Sequence, residues 1–213
     1  RTDISRSYYR IMADTGDVED YDTVFMIGFN GYIPHQLNIQ GNPIGNPKYD
    51  DGTSNLSWGA GAMTATLTGD YNIGIGINAL QVNTTGTENI ALGINALTAN
   101  TTGFYNTAIG TWALNANTTG EQNTAVGKNA LLVATTAQKN SAFGAGAGEA
   151  MIGSFNTPIG HDAMLNKTSG NENSSLGWLS WAQEITGSNN VGIGSSSGRS
   201  VVNGSQNVAI GSE

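Results

Sequence analysis

The side chains able to do chemistry in this chain are few and scattered. There is no cysteine, and the two histidines, His35 and His161, stand 126 positions apart without a paired nucleophile. That spacing predicts no shared catalytic site. Five acids, Asp14, Asp17, Glu19, Asp20 and Asp22, crowd into nine residues, and carboxylate oxygens can hold a calcium ion. Their spacing matches no known calcium loop, so a solvated acidic loop is the expectation, with no metal and no cofactor assigned. Cleavage of a polysaccharide needs two carboxyl groups facing each other across a groove. Asp162 and Glu184 could do so from nearby turns of the chain, yet nothing else marks them. The chain reads as a non-enzyme.

What positions every other residue is a repeat. Asn55, Asn72, Asn89, Asn106, Asn123, Asn140, Asn156, Asn173, Asn190 and Asn207 follow one another at steps of 17 residues, except the 16-residue step from Asn140 to Asn156. Four residues after each comes a glycine: Gly59, Gly76, Gly93, Gly110, Gly127, Gly144, Gly160, Gly177, Gly194 and Gly211. With the asparagine as position 0, position +3 is always large and apolar, from Trp58 and Ile75 to Ile193 and Ile210. Position +2 is mostly Ala or Gly, and an Ala at +7 is usually followed by Leu or Met. A second glycine column (Gly69, Gly86, Gly103, Gly120, Gly153, Gly170, Gly187, Gly204) closes each unit and is broken only by Ala137. A fixed period this short stacks one small unit on the next.

Two glycine-marked corners per unit predict two short strands, one through Asn-x-Ala-Ile and one through Ala-Leu. The fold class expected is therefore all-β: a parallel β-solenoid of about ten coils over residues 53–213, of order 45–50 Å long at the ~4.8 Å strand spacing. Strand alternation places the asparagine, the small residue and the glycine on one face. It turns the large +3 residue to the other, where its bulk is expected to build the core. The asparagines could form a ladder of side-chain amides. The simpler expectation is that each takes a left-handed turn and bonds its own backbone. One coil buries only a few apolar side chains, a thin return against ~1–2 kcal/mol of backbone entropy per residue. Self-association along exposed columns is the expected remedy.

Composition agrees. Charged residues are 11% of the chain and the net charge is −8, with eight Lys and Arg and no basic cluster. That disfavours gripping nucleic acid, and no apolar run approaches the ~20 residues that span a bilayer. Residues 1–52 differ, with half of the sixteen acids and most of the tyrosines. They read as a β-rich N-terminal cap or adaptor for the first coil. The chain opens at Arg1 and stops at Glu213 within a coil. It is expected to be a processed product or fragment whose open edge is covered by more chain or a partner.

The segments NIALGINALTANTTG, NTAIGTWALNANTTG and NTAVGKNALLVATTA within residues 89–144 closely resemble the Asn-Thr-Ala-Ile-Gly-x-x-Ala-Leu repeats of phage tail-fibre and related surface-fibre proteins. More distantly, they are similar to the heads of YadA-type trimeric autotransporter adhesins. The resemblance implies a homotrimer of parallel β-rolls, wound left-handed as in the adhesins. It implies a shaft or receptor-binding role in host attachment, on a virion tail fibre or, alternatively, on a bacterial cell surface. The partners it implies are the chain itself, adjoining fibre or baseplate proteins, and a host glycan or protein receptor. Phe104, Tyr105, Trp112, Phe155, Trp178 and Trp181 depart from the repeat pattern and are candidate receptor contacts or fillers of the trimer seam. The pairs Thr84/Thr85, Thr101/Thr102, Thr118/Thr119 and Thr135/Thr136 raise an ice-binding alternative, though alternation would leave one outward Thr per coil.

Overall fold

The computed structural model describes residues 55–65, 68–166, 169–183, 186–198 and 203–212. The expected N-terminal cap, the acidic cluster, His35 and Glu184 lie outside the described residues. Among those described, the chain is an all-β parallel solenoid without helix. Each rung is a three-residue strand following a repeat asparagine: β1 (Leu56–Trp58), β2 (Ile73–Ile75), β3 (Ile90–Leu92), β4 (Thr107–Ile109), β5 (Thr124–Val126), β6 (Ser141–Phe143), β7 (Thr157–Ile159), β8 (Ser174–Leu176), β9 (Val191–Ile193) and β10 (Val208–Ile210). They form one sheet in sequential order.

Register pairs equivalent positions, such as Ala91 with Ala108 and Leu92 with Ile109. The 16-residue coil keeps that register, since Phe143 pairs with Ile159. The missing residue falls in the bend before Gly153. A one-residue slip within the sheet would have sent each strand side chain to the wrong face.

The second expected strand does not form. In its place, positions +6 and +8 adopt left-handed backbone, as at Asn78 (φ 57°), Leu80 (φ 50°), Asn95 (φ 57°) and Leu97 (φ 50°). Two such residues flanking one alanine bend the chain too sharply for a strand. The wall still bonds between coils, Asn78 N–H donating to Ala60 O at 2.9 Å and Leu80 N–H to Ala96 O at 3.1 Å. From Asn72 onward the residue before each repeat asparagine is left-handed too, among them Tyr71, Glu88 and Gln122. Corners are thus turned largely by residues other than glycine.

The core lies between the inner face of the sheet and this Ala–Leu wall. Ala91, Ala108, Ala125 and Ala142 at +2 are fully buried, as are Leu80, Leu97, Leu114 and Leu131 at +8. The expected facing is therefore reversed: the small residue points in and the large +3 residue points out. The reason is width. A coil this narrow has one shared space for the sheet and the wall opposite, so their side chains trade size. Each of those leucines precedes an alanine on the next strand. Met63 precedes Gly74, where an added Cβ would sit 3.0 Å from the methionine Cε. Trp181 precedes Gly192, where an added Cβ would overlap the indole. Gly148, a glycine at +8, precedes Pro158, and Met151 reaches into the same space, its Cε 2.8 Å from where a Cβ on Gly148 would lie. Total volume stays nearly constant, as close packing demands.

Candidate functional site

The asparagine column is built into the coil. Asn106 is fully buried. Its Nδ2 donates to Gly120 O at 2.8 Å, closing its own coil across the interior. Its backbone N–H and its Nδ2 also donate to Asn89 Oδ1 at 3.0 and 3.1 Å. The same links recur at Asn89, Asn123, Asn173 and Asn190. The column is a true amide ladder, and the simpler expectation of a self-bonded left-handed asparagine is overturned. A single amide has enough donors and acceptors to close a coil and bind the next one at once.

The glycine four residues on has a different task. Gly110 has φ 133°, and an added Cβ would meet Gly127 O at 2.5 Å and its carbonyl carbon at 2.6 Å. Gly93 is caught the same way against Gly110. The close approach is thus between coils of one chain. The second glycine column is also pressed by the next coil's backbone, and in three coils by a side chain as well: a Cβ on Gly120 would collide with both Ala137 O and Asn117 Oδ1, and one on Gly103 with both Gly120 O and Asn100 Oδ1. Asn83, Asn100 and Asn117 form a second, shorter ladder, each Nδ2 donating to the previous Oδ1 at 2.8 Å. Its next rung is Ala134, so Asn117 Oδ1 is buried without a partner. Ala137 stands where its equivalents are glycine, in the coil that carries Ala134 in place of this asparagine.

The outward face of the sheet is the surface these devices present. Position +3 runs along it as an unbroken apolar ladder, with Trp58 48%, Ile109 38%, Phe143 42%, Leu176 50% and Ile193 41% exposed. Position +1 lies beside it on the same face and turns from Ile73 and Ile90 to Thr107 and Thr124 along the rod. Ile77, Ile94 and Trp178 at +5 widen the apolar band. Strand side chains in register leave no polar interruption at +3 from one end of the sheet to the other.

The six aromatic candidates separate. Tyr105, Trp112, Phe155 and Trp178 are exposed and Phe104 is half-buried, its ring edge-on to Tyr105 at 5.3 Å. Trp181 is fully buried. It takes the place of the core leucine and is a packing residue, not a surface contact. Tyr71, equivalent to Tyr105 and more exposed, is not among the six; its signal was its position before Asn72. Lys139 Nζ lies 5.2 Å over the Phe155 ring.

Of the remaining candidates, His161, Asp162 and the threonine pairs lie within the described residues. His161 Nδ1 lies 2.9 Å from Asp162 Oδ2 on the surface. No cluster of three His, Asp or Glu suited to a metal occurs among the described residues, and no helix long and apolar enough to cross a membrane occurs among them. Thr84, Thr101 and Thr118 donate from Oγ1 to the backbone of the next coil, at 3.0, 3.1 and 3.1 Å. In the first three pairs only the second Thr is fully exposed, whereas Thr135 and Thr136 both are. No family model matches the chain, and neither the curated proteins nor the solved structures contain a match to it.

Proposed function

We propose that this chain is a structural, non-enzymatic segment of a trimeric viral or phage tail fibre. It acts as shaft and receptor-binding part in host attachment, with its solenoid wound left-handed and its place outside the cell on the virion. One observation carries the reading: the ten-rung apolar ladder at +3 lies outside the coil, not within it. A contiguous apolar strip of this length marks an interaction surface. Its best complement is the same strip on an identical chain, because the repeat spacing then matches rung for rung. Three ladders closing on a common axis would bury the strips and leave the variable corners of each coil outward. Those corners repeat weak contacts along a stiff body, so avidity replaces single-site affinity.

Native mass in solution tests this. The unaltered chain should run as a trimer. The pair Ile109→Lys and Phe143→Lys, which leaves the inner columns untouched, should release monomers with an unchanged far-ultraviolet spectrum. A monodisperse monomer of the unaltered chain would overturn the reading.

A further inference from the structure

The residues just before the repeat asparagines form an exposed column of their own. In four successive coils it reads Tyr71, Glu88, Tyr105 and Gln122, with Tyr71 64% and Tyr105 50% exposed. Each has left-handed backbone, at φ 59°, 54°, 56° and 57°. Their amides are tied into the stack, Glu88 N–H to Asp70 O at 2.9 Å, Tyr105 N–H to Thr87 O at 3.1 Å and Gln122 N–H to Phe104 O at 3.0 Å. The column is therefore pre-set in register, with little left to order on binding. Phe104 braces Tyr105 edge-on, with 77° between the ring planes.

We infer that this column is a binding track for a neutral, extended, β-linked polysaccharide running parallel to the solenoid axis. The inference rests on the attachment role proposed above and names the class of receptor. The two tyrosines lie two rungs apart, about 10 Å at the spacing of hydrogen-bonded strands. That is the repeat of a disaccharide in an extended β-linked chain, so rings of every second sugar meet an aromatic face. Stacking of this kind suits the C–H face of a pyranose, which is apolar on one side and hydroxylated at its edge. Glu88 and Gln122, at the alternate rungs, present a carboxylate and an amide to the intervening hydroxyls, which both donate and accept. The charge sets the class. Asp70, Glu88 and Glu121 lie on or beside the track in these four coils, while Lys139, the next rung of the column, is held over the Phe155 ring. A uronate or sulfated polymer would be repelled.

The test uses the full chain in its native assembly, with hexasaccharides of β-1,4-linked glucose and of β-1,4-linked N-acetylglucosamine, and a β-1,4-linked mannuronate hexamer as the anionic control. Calorimetry should show binding of at least one neutral hexamer and not of mannuronate. Tyr71→Ala and Tyr105→Ala should each weaken it by roughly 3- to 10-fold, while Tyr71→Phe keeps it. Removing residues 72–88, one whole coil, sets the tyrosines on adjacent rungs and should abolish binding with the sheet spectrum retained. Native mass is measured on the same samples. A trimer that binds neither neutral hexamer overturns this inference and leaves the fibre reading standing. Preference for mannuronate, binding indifferent to both tyrosines, or a tyrosine-dependent contact with a protein and no glycan also overturns it.

Discussion

The rod from Asn72 to Lys139 and the rod from Asn140 to Gly198 solve the same problem with different material. In the first stretch the core repeats Leu80, Leu97, Leu114 and Leu131 against alanines, and a second amide ladder runs beside the first. In the second stretch the equivalent core positions are Gly148, Met164, Trp181 and Gly198, and one coil is a residue short. The main asparagine ladder and the +4 glycines persist through both. Hydrophobic volume is exchangeable between facing walls, because dispersion and burial do not care which residue supplies the atoms. Backbone contacts at fixed distance have no such freedom.

The sharpest way to break that contrast is Gly110→Val. The added side chain meets the Gly127 carbonyl and demands a φ that valine resists, so loss of the soluble assembly is expected on expression. Normal assembly would show that coils can part locally. Next comes Asn106→Asp, which puts an acceptor where Nδ2 donates to Gly120 O and Asn89 Oδ1. Denaturant unfolding should fall by about 2–4 kcal/mol, since buried groups lose their partners. An unchanged midpoint would mean the ladder is dispensable.

The exchange of volume predicts a smaller, conditional effect. Trp181→Leu should cost about 2–3 kcal/mol through the cavity it leaves beside Gly192 and Gly198. Adding Gly192→Ala, lethal to packing beside the tryptophan, should recover part of that loss, a coupling readable in a double-mutant cycle. Strict additivity would refute the exchange. Smallest is Asn117→Ala, which repeats what Ala134 already does. Its Nδ2 gives up Asn100 Oδ1 and Gly120 O, but the unpartnered buried oxygen only moves from Asn117 to Asn100, so the cost should be about 1–2 kcal/mol.

Much of this was legible beforehand. The coil count, the sheet register and the asparagine and glycine columns followed from spacing alone. Which face turns inward did not, because alternation defines two faces without saying which encloses the core. The missing clue was reciprocal size, Met63 with Gly74 and Trp181 with Gly192, which betrays side chains sharing one space. The Ala–Leu segment was misread as a strand because left-handed leucine is costly and no local propensity announces it. Trp181 looked like a surface ring for a related reason: its neighbouring glycines lie 11 and 17 positions away in sequence and beside it only in the fold.

The short coil has a consequence for reach. Since a residue can be lost from a bend while Phe143 still meets Ile159, the body tolerates edits as long as whole rungs remain whole. Near-identical copies invite unequal exchange, and each gain or loss would lengthen or shorten the molecule by one strand spacing, about 4.8 Å. Its span is thus adjustable in discrete increments, like a ruler cut only at its marks.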